Sequence, residues 1–391
     1  MSLNRRQFLV LSGLTSGFGL AVLMQRTFAE SAVKQPSSQP SLGQAPTAKP
    51  TAQLQNTNPQ VGKAIAPKGM FAPARGDVRI AVISDLNSQY GSTDYEAEVD
   101  KAIALIPAWQ PDLVLCGGDM VAGQSQSLSD AEVKAMWAAF DRHIGAPLRK
   151  AKLPYGFTVG NHDGSAALSA NGTFSFQRDR NLAAAHWNNP KHNPSLQFVD
   201  RAKFPFYYTF QQNDIFYLVW DASSATIRAD QLAWVEKSLA SPAAQNAKLR
   251  IAIGHLPLYA VAVRRDRLGE ILNQPDKLRS LLEKYRVHTY ISGHHHAYFP
   301  GHRGKLELLH TGAIGGGPRR LLNSDRPPQK TLTIVDVKLG SASTTYTTYD
   351  MTTLQLVRQQ DLPRLIVGPN GWVLRRDVQE ADLTAEERSQ I

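Results

Sequence analysis

The chain has 391 residues, of which 42% are hydrophobic, so it can form a substantial core and is not disordered as a whole. Its net charge of +10 indicates affinity for anions, such as phosphorylated compounds, nucleic acid or acidic membrane surfaces. No stripe of basic residues interleaved with aromatic residues accompanies this charge, so we do not expect nucleic-acid binding.

Residues 1–29 have the layout of an export signal peptide. Arg5 and Arg6 precede an apolar run, and small residues end the segment at Ala29. The paired arginines resemble a twin-arginine signal, which implies the twin-arginine export machinery as a partner and a periplasmic or other extracytoplasmic location. An uncleaved segment would instead tether the protein to the membrane. The run is short and rich in Gly and Ser, so we expect no stable membrane span.

Residues 30–70 are rich in Pro, Ser, Gln and Ala and have no apolar periodicity, which predicts a flexible linker. Residues 77–360 then alternate apolar runs with amphipathic segments, which predicts a layered α/β domain. Residues 164–203 are weakly patterned and could form a lid or insertion over a site. Residues 361–391 are a C-terminal tail without a recognisable motif.

The predicted elements of the domain form a long series in which the last members are all strands. In chain order they are the strand VRIAVIS, the helix YEAEVDKAIALIPAW, the strand DLVLCGG, the helix DAEVKAMWAAFDRHI, the strand YGFTVGN, a hairpin in YYTFQQNDIFYLVWD, the helix RADQLAWVEKSLA, the strand LRIAIGH, the helix PDKLRSLLEKY, the strand VHTYISGHHH, and strands in LELLHTG, KTLTIVDV, STTYTTYD and LQLVRQQ.

The only cysteine, Cys116, lies in the apolar strand LVLCGGD. A single cysteine excludes an intramolecular disulfide. We expect Cys116 to be buried and inert rather than a nucleophile.

Polar side chains of metal-binding type follow five of the predicted strands. Because ligands of open α/β sheets bind beyond the carboxyl ends of the strands, we expect these side chains at one edge. Residues i and i+2 of an extended chain point the same way, so the pairs would be Asp85 with Asn87 and His294 with His296, and His295 would point elsewhere. The candidate metal ligands are Asp85, Asn87, Asp119, Asn161, His255, His294 and His296.

This set of oxygen and nitrogen ligands suits Mn, Fe, Zn or Co, and it is too large for one ion, which indicates two divalent metal ions. Paired metals commonly promote in-line attack on phosphorus. Any one of these motifs alone is as well explained by a turn or cap residue. Their joint occurrence, each after a buried strand, favours a metal site.

These motifs resemble the calcineurin-like metallophosphoesterase superfamily. That family has D-x-H, G-D, G-N-H-[DE], G-H and G-H-x-H, and this chain has SDLN, GGDM, GNHD, GHLP and GHHH in the same order. The resemblance covers roughly residues 77–349. It implies a four-layer α/β/β/α sandwich with a dinuclear metal site.

The resemblance also implies a role for each matching residue. Asp119 would bridge both metals; Asp85 and His296 would bind the first metal, and Asn161, His255 and His294 the second. His162 would protonate the leaving oxygen after attack by hydroxide, and Asp163 would orient His162.

Two positions depart from the family pattern. Asn87 stands where the family usually has His, so the first metal would be looser, differently chosen or absent, and we expect Asn87 to face it through the side-chain oxygen. Ala122 stands where purple acid phosphatases have Tyr, which argues against an Fe(III)–Tyr site. Tyr90 would need an unusual loop path to act as a substitute ligand.

Two further segments bear on the substrate. Arg264, Arg265 and Arg267 could clamp a phosphate, or they could be the solvated start of a helix. The glycine-rich residues 311–320 could approach the site as backbone, but they lack the Lys-Ser/Thr pair of a P-loop.

The sequence thus favours an exported enzyme that hydrolyses phosphate mono- or diesters. The alternative is a catalytically weak relative that binds a phosphorylated ligand or a cell-envelope partner, which Asn87 and the long linker favour. Neither the particular ester nor the oligomeric state follows from the sequence.

Overall fold

The computed structural model describes residues 59–391, so the predicted export signal and linker residues 30–58 lie outside the described residues. The described end of the predicted linker is attached to the domain rather than free. The backbone N–H of Gly62 donates to the Arg75 carbonyl at 2.8 Å, and the Arg79 guanidinium donates to the Ile65 carbonyl at 3.0 Å. Within residues 59–391, no helix has both the length and the apolar character needed to cross a membrane.

The described residues contain strands that we number in chain order. They are β1 (Val78–Ile83), β2 (Leu113–Cys116), β3 (Tyr155–Phe157), β4 (Phe198–Lys203), β5 (Tyr207–Gln212), β6 (Ile215–Val219), β7 (Leu249–Ile253), β8 (Thr289–Ser292), β9 (Phe299–Arg303), β10 (Leu306–His310), β11 (Thr331–Lys338), β12 (Ser343–Asp350), β13 (Leu365–Gly368) and β14 (Gly371–Arg375).

The α-helices are numbered in the same way. They are α1 (Ala97–Leu105), α2 (Asp130–Phe140), α3 (Ala146–Lys150), α4 (Asn161–Gly164), α5 (Gln177–Trp187), α6 (Ala229–Leu239), α7 (Pro242–Asn246), α8 (Pro275–Lys284) and α9 (Ala385–Arg388). A 3₁₀ turn at Ile106–Trp109 continues α1, and a π-helical turn at Asp141–Gly145 joins α2 to α3.

The strands form two sheets. The smaller sheet has the order β12-β11-β1-β2-β3, and the larger has the order β13-β14-β9-β10-β8-β7-β6-β5-β4. β1, β2 and β3 run parallel, as do β6, β7, β8 and β10. Helices flank the sheets, and the predicted four-layer α/β/β/α sandwich is confirmed.

Local sequence explains these elements. All six residues of β1 are buried, as expected for a strand covered on both faces. The Ser129 hydroxyl accepts from the Glu132 N–H, and the Glu132 carboxylate accepts from the Ser129 N–H, so a capping box begins α2. Asn213 and Asp214 have φ values of 54° and 59°, which suit the two-residue turn of the β5–β6 hairpin. Cys116 is buried, as predicted.

The last predicted strand, at residues 354–360, is wrong. Leu354 has a φ of 61°, the chain reverses there, and only Leu356 forms a single bridge, to Tyr349. The weakly patterned residues 164–203 contain α5 and β4. The predicted tail contains the β13–β14 hairpin, in which β14 pairs with β9 and so extends the larger sheet.

Candidate metal centre

The polar side chains of the five motifs lie directly after β1, β2, β3, β7 and β8. The expectation that the backbone is extended at the pairs Asp85–Asn87 and His294–His296 is wrong. Asp85, His294 and His296 have φ values of 50°, 64° and 51°, so left-handed backbone turns aim these side chains rather than strand alternation. His295 points away from its neighbours, as expected. Its Nδ1 accepts from the Val261 N–H and its Nε2 donates to the Glu270 carbonyl.

These turns bring carboxylates and imidazoles into two groups that share one residue. Asp119, His255 and His294 form one group, and Asp85, Asp119 and His296 form the other. Within each group the candidate ligand atoms all lie within 4.8 Å of one another. The shared carboxylate of Asp119 is 1% exposed, so the two groups meet in the buried interior of the domain.

Glycine allows the chain to pass this closely. Gly118, with a φ of 99°, precedes Asp119, and a Cβ on Gly118 would lie 2.7 Å from Nδ1 of His255. A Cβ on Gly160 would overlap the Asp119 carboxylate. Both glycines are therefore required by the close approach of backbone to the ligand side chains.

The group with two imidazoles is held by hydrogen bonds on its outer side. Nδ1 of His255 donates to the Gly117 carbonyl at 2.8 Å, and Nε2 of His294 donates to the Glu270 carboxylate at 2.9 Å. The remaining nitrogens, Nε2 of His255 and Nδ1 of His294, both lie 2.9 Å from Oδ1 of Asn161. In each ring the nitrogen opposite the held N–H faces Oδ1 of Asn161, and once it carries no proton it can bind a cation that lies between the ring and this oxygen.

The other group has one imidazole. Nδ1 of His296 donates to the Gly317 carbonyl at 3.0 Å, and its Nε2 lies 3.3 Å from Oδ1 of Asp85. The Asp85 carboxylate accepts from the Ser84 hydroxyl at 2.6 Å. The amide nitrogen of Asn87 donates to the Val121 carbonyl at 3.2 Å, which leaves the amide oxygen as the only atom of that side chain able to bind a metal.

Electrostatics at the centre favours positive charge. Burial alone would raise the pKa of Asp119, but His255 and His162 lower it well below its usual range. Burial alone would lower the pKa of His255, but Asp119 raises it to about 9. Burial lowers the pKa of His294 to about 4, so this ring is neutral at pH 7. Carboxylates and neutral imidazole nitrogens that converge in this way fit divalent metal ions.

His162 lies beside the shared carboxylate. Its backbone N–H donates to Oδ1 of Asp119 at 2.9 Å, and its Nε2 is 3.9 Å from Oδ2. The expected orienting role of Asp163 is wrong, because Nδ1 of His162 donates to the Gly123 carbonyl at 3.0 Å instead.

Asp163 organises the backbone around the centre. Its carboxylate accepts from the N–H groups of Met120, Val121 and Gly160 at 2.7–2.9 Å. Burial, followed by the nearby Asp119, raises the pKa of Asp163 to about 7. Asp163 thereby fixes the turns on both sides of the shared carboxylate.

Residues 78–298, more than half of the chain, match the sequence model of the calcineurin-like phosphoesterase family. The chain belongs to this family. No curated protein matches its sequence.

Solved structures are similar to this chain. A purple acid phosphatase from yellow lupin is 17% identical with a TM-score of 0.51, and the match covers 72% of this chain and 52% of the lupin chain. This chain thus spans about half of the lupin enzyme. GAP50 of Plasmodium, described as an anchor in the inner membrane complex, is 12% identical with a TM-score of 0.45, and the match covers 80% of this chain and 93% of GAP50. A 5′-nucleotidase structure from Staphylococcus aureus is 11% identical with a TM-score of 0.38, covering 80% of this chain and 57% of that chain.

The centre opens into a cleft of about 870 Å³, and Asn161, His162 and His294 line the cleft at the centre. Arg265 and Arg267 also line the cleft, whereas Arg264 is not among its lining residues. The three arginines lie in a loop before Pro275, not at a helix start. The glycine-rich segment approaches as backbone: the N–H of Gly315 donates to the Asp85 carbonyl at 2.9 Å.

The sequence motifs did not reveal two side chains that hold the ligands in place. Glu270 accepts from both His294 and Arg265, at 2.9 Å and 2.5 Å. Gln124 accepts from the amide of Asn161 at 2.6 Å, which turns Oδ1 of Asn161 toward the two imidazoles. Neither residue lies in a family motif, and only the fold brings them to the centre.

Proposed function

We propose that this phosphoesterase hydrolyses phosphate mono- or diesters at a centre of two divalent metal ions, with His162 as the general acid. The observation that carries the proposal is the sharing of Asp119 by two groups of buried ligands, with Nε2 of His162 3.9 Å from the shared carboxylate. Family membership supports metal-dependent phosphoester hydrolysis in general.

Asp119 would bind both ions, and each of the other ligands would bind one of them. Bound divalent cations of Mn, Fe, Zn or Co would polarise the phosphoryl oxygens and lower the pKa of a water to about 7. The other ligands would be Asp85, His296 and the Asn87 oxygen on one side, and Asn161, His255 and His294 on the other.

His162 would supply the proton that the leaving alkoxide needs. The hydrogen bond from its Nδ1 to the Gly123 carbonyl fixes the ring. The other nitrogen, Nε2, is then free to carry a proton toward a phosphoryl group that lies against Asp119. A positioned acid of this kind contributes about 100- to 10,000-fold to the rate.

The test is reconstitution of chelator-treated protein with each of Mn, Fe, Zn and Co. Metal content per chain and turnover of p-nitrophenyl phosphate and bis-p-nitrophenyl phosphate would be measured on the same samples. We expect two ions per chain and turnover of at least one ester. Absence of turnover together with absence of bound metal would refute the proposal. One ion or fewer, with phosphate binding but no turnover, would favour a ligand-binding relative instead.

We also propose that the enzyme is exported before it acts. Arg5 and Arg6, which support this, lie outside the described residues. Replacing both arginines with lysine should retain the protein in the cytoplasm, as measured by cell fractionation, whereas replacing Arg26 alone should not. Export of the double variant at the wild-type level would contradict the twin-arginine route.

A further inference from the structure

Three exposed apolar side chains lie around the cleft. Tyr90, Leu168 and Leu268 all line it, with exposed fractions of 63%, 47% and 89%. Residues 59–391 contain eight large hydrophobic side chains with such exposure, and three of them lie around this one cleft. Exposed apolar side chains that cluster around a polar site mark a surface that binds an apolar group.

Each of these side chains lies on a different loop, and backbone hydrogen bonds order each loop. The N–H of Gly91 donates to the Ala122 carbonyl at 2.8 Å, next to Tyr90. Leu168 forms a bridge with Phe174 that closes a short loop. Leu268 lies at the tip of a turn in which the N–H of Glu270 donates to the Arg267 carbonyl at 3.2 Å. Backbone hydrogen bonds thus order the loops that carry the apolar rim.

The arginines that line the cleft are engaged in ion pairs. Arg265 and Arg267 both pair with Glu270, at 2.5 Å and 3.1 Å, and Arg228 pairs with Asp230 at 3.1 Å. Among the described residues that line the cleft, each arginine therefore already has a carboxylate partner. These ion pairs reduce the positive charge that the cleft presents to a substrate, so the apolar rim is the other feature that could distinguish one phosphate ester from another.

Tyr90 lies next to the proposed general acid. The centroids of the Tyr90 and His162 rings are 5.0 Å apart, with an angle of 48° between the ring planes. The oxygen that His162 protonates belongs to the leaving alcohol, so the carbon group of that alcohol must lie close to the Tyr90 ring. A planar aromatic group there gains stacking contacts that a small aliphatic group lacks.

We propose that Tyr90, with Leu168 and Leu268, selects phosphate esters whose leaving alcohol carries an aromatic or comparably large apolar group. This inference rests on the proposed function, because His162 defines the leaving-group side of the cleft. Tyr90 is a specificity-determining residue in this proposal and takes no part in proton transfer.

The test compares benzyl phosphate with ethyl phosphate. Both are esters of primary alcohols, so the alkoxides that leave are chemically similar and the ratio of kcat/KM reports contacts with the carbon group. For the wild-type enzyme we expect a ratio of about 10 in favour of benzyl phosphate, since aromatic contacts and apolar burial together give about a tenfold effect. Tyr90→Ala should bring the ratio close to one, whereas Tyr90→Phe should keep it.

Phe71→Ala is the matched control, because Phe71 is also an exposed aromatic residue, at 56%, but does not line the cleft. It should leave the ratio unchanged. If Tyr90→Ala fails to fold, Leu268→Ser, at an 89% exposed position, should lower the ratio about threefold. A wild-type ratio near one would overturn the inference. So would a ratio that stays at the wild-type value in both Tyr90→Ala and Leu268→Ser. Absence of turnover of every ester by the metal-loaded wild type would instead refute the proposed function.

Discussion

Two imidazoles lie on one side of Asp119, and only one lies on the other. On the richer side, His255 and His294 each donate an outer N–H to an oxygen, and the amide of Asn161 is held by Gln124. On the poorer side, His296 donates its outer N–H to the Gly317 carbonyl and the Asn87 amide donates to the Val121 carbonyl, but Asn87 stands where the family usually has His.

This difference indicates unequal metal binding. The outer N–H of every candidate imidazole is held by an oxygen on both sides, so the difference lies in the ligands, and a neutral amide binds a metal more weakly than an imidazole does. The side with Asn161, His255 and His294 should therefore keep its ion under conditions in which the side with Asp85 and His296 loses it. The departure from the family motif at Asn87 thus predicts which of the two ions is lost first.

The largest effect should come from Asp119, which belongs to both sides. Asp119→Asn removes the negative charge that both groups share, so we expect loss of at least one ion and a fall in kcat/KM of about 1,000-fold. Metal content and ester hydrolysis should be measured together. Asp325→Asn makes the same chemical change at a fully exposed carboxylate and should change neither. Two tightly bound ions in Asp119→Asn would contradict the bridging role.

His162 belongs to neither side, so its replacement separates proton transfer from metal binding. We expect His162→Gln to lower kcat about 100- to 1,000-fold for an alkyl phosphate while both ions stay bound. The loss should be smaller for p-nitrophenyl phosphate, because p-nitrophenolate leaves without a proton. His143→Gln, at a partly exposed histidine, is the control. Equal losses for the two esters would argue against the role of general acid.

Replacing Glu270 tests whether its hydrogen bond with His294 raises the metal affinity of the side that has two imidazoles. Glu270→Ala removes the carboxylate that accepts from Nε2 of His294, so the more tightly bound ion should bind about tenfold more weakly, while the weaker ion changes little. Metal affinities measured by competition with a chelator would show this. Glu270→Gln should have an intermediate effect, and exposed Glu386→Ala should have none. A change confined to the weaker ion would reverse the assignment of the two sides.

Asn87→His tests the poorer side directly. An imidazole is a stronger ligand than a neutral amide, so the weaker ion should bind about tenfold more tightly or change its preference among Mn, Fe, Zn and Co. Asn188→His at an exposed position is the control. If metal content and activity are the same in Asn87→His and the wild type, the side chain of Asn87 points away from the centre.

The sequence predicts the alternating part of the fold well, because its strands are continuous apolar runs and its helices have clear periodicity. β13 and β14 were missed because the short runs LIVG and GWVLR gain stability by adding to the edge of the large sheet through β9. The strand predicted at residues 354–360 does not form, because this segment has no neighbouring strand among the described residues to pair with along its length and only Leu356 forms a single bridge. Pairing partners far along the chain decide such cases.

The candidate ligands were predictable because each follows a buried strand in a recognisable motif. The hydrogen bonds that hold these side chains in place could not be predicted from the sequence. The Gly123 carbonyl that holds His162 and the Glu270 carboxylate that holds His294 carry no sequence signal, since their roles depend on loops that only the fold brings together. The turns at Asp85 and His294 also differ from the expected extended chain, because close packing of the loops requires left-handed backbone there.

A buried histidine outside the centre makes the stability of the protein depend on pH. His310 ends β10 and pairs in register with Ser292 of β8, the strand that leads to His294. Neither ring nitrogen of His310 has a hydrogen-bond partner within residues 59–391, and burial lowers its pKa to about 3. His310 is therefore neutral in the folded protein at pH 7.

Acid should destabilise the protein through this residue. Below pH 6.5 the unfolded chain protonates His310 but the folded chain does not, so the free energy of unfolding falls as the pH decreases toward 3. Between pH 7.5 and pH 5, His310→Leu should avoid a loss of about 2 kcal/mol that the wild type shows. Denaturant titrations in the presence of a chelator would measure this without a contribution from metal binding on either side of Asp119. The same pH dependence in both proteins would mean that His310 gains a partner or titrates normally, and that the strands behind His294 and His296 tolerate a buried charge.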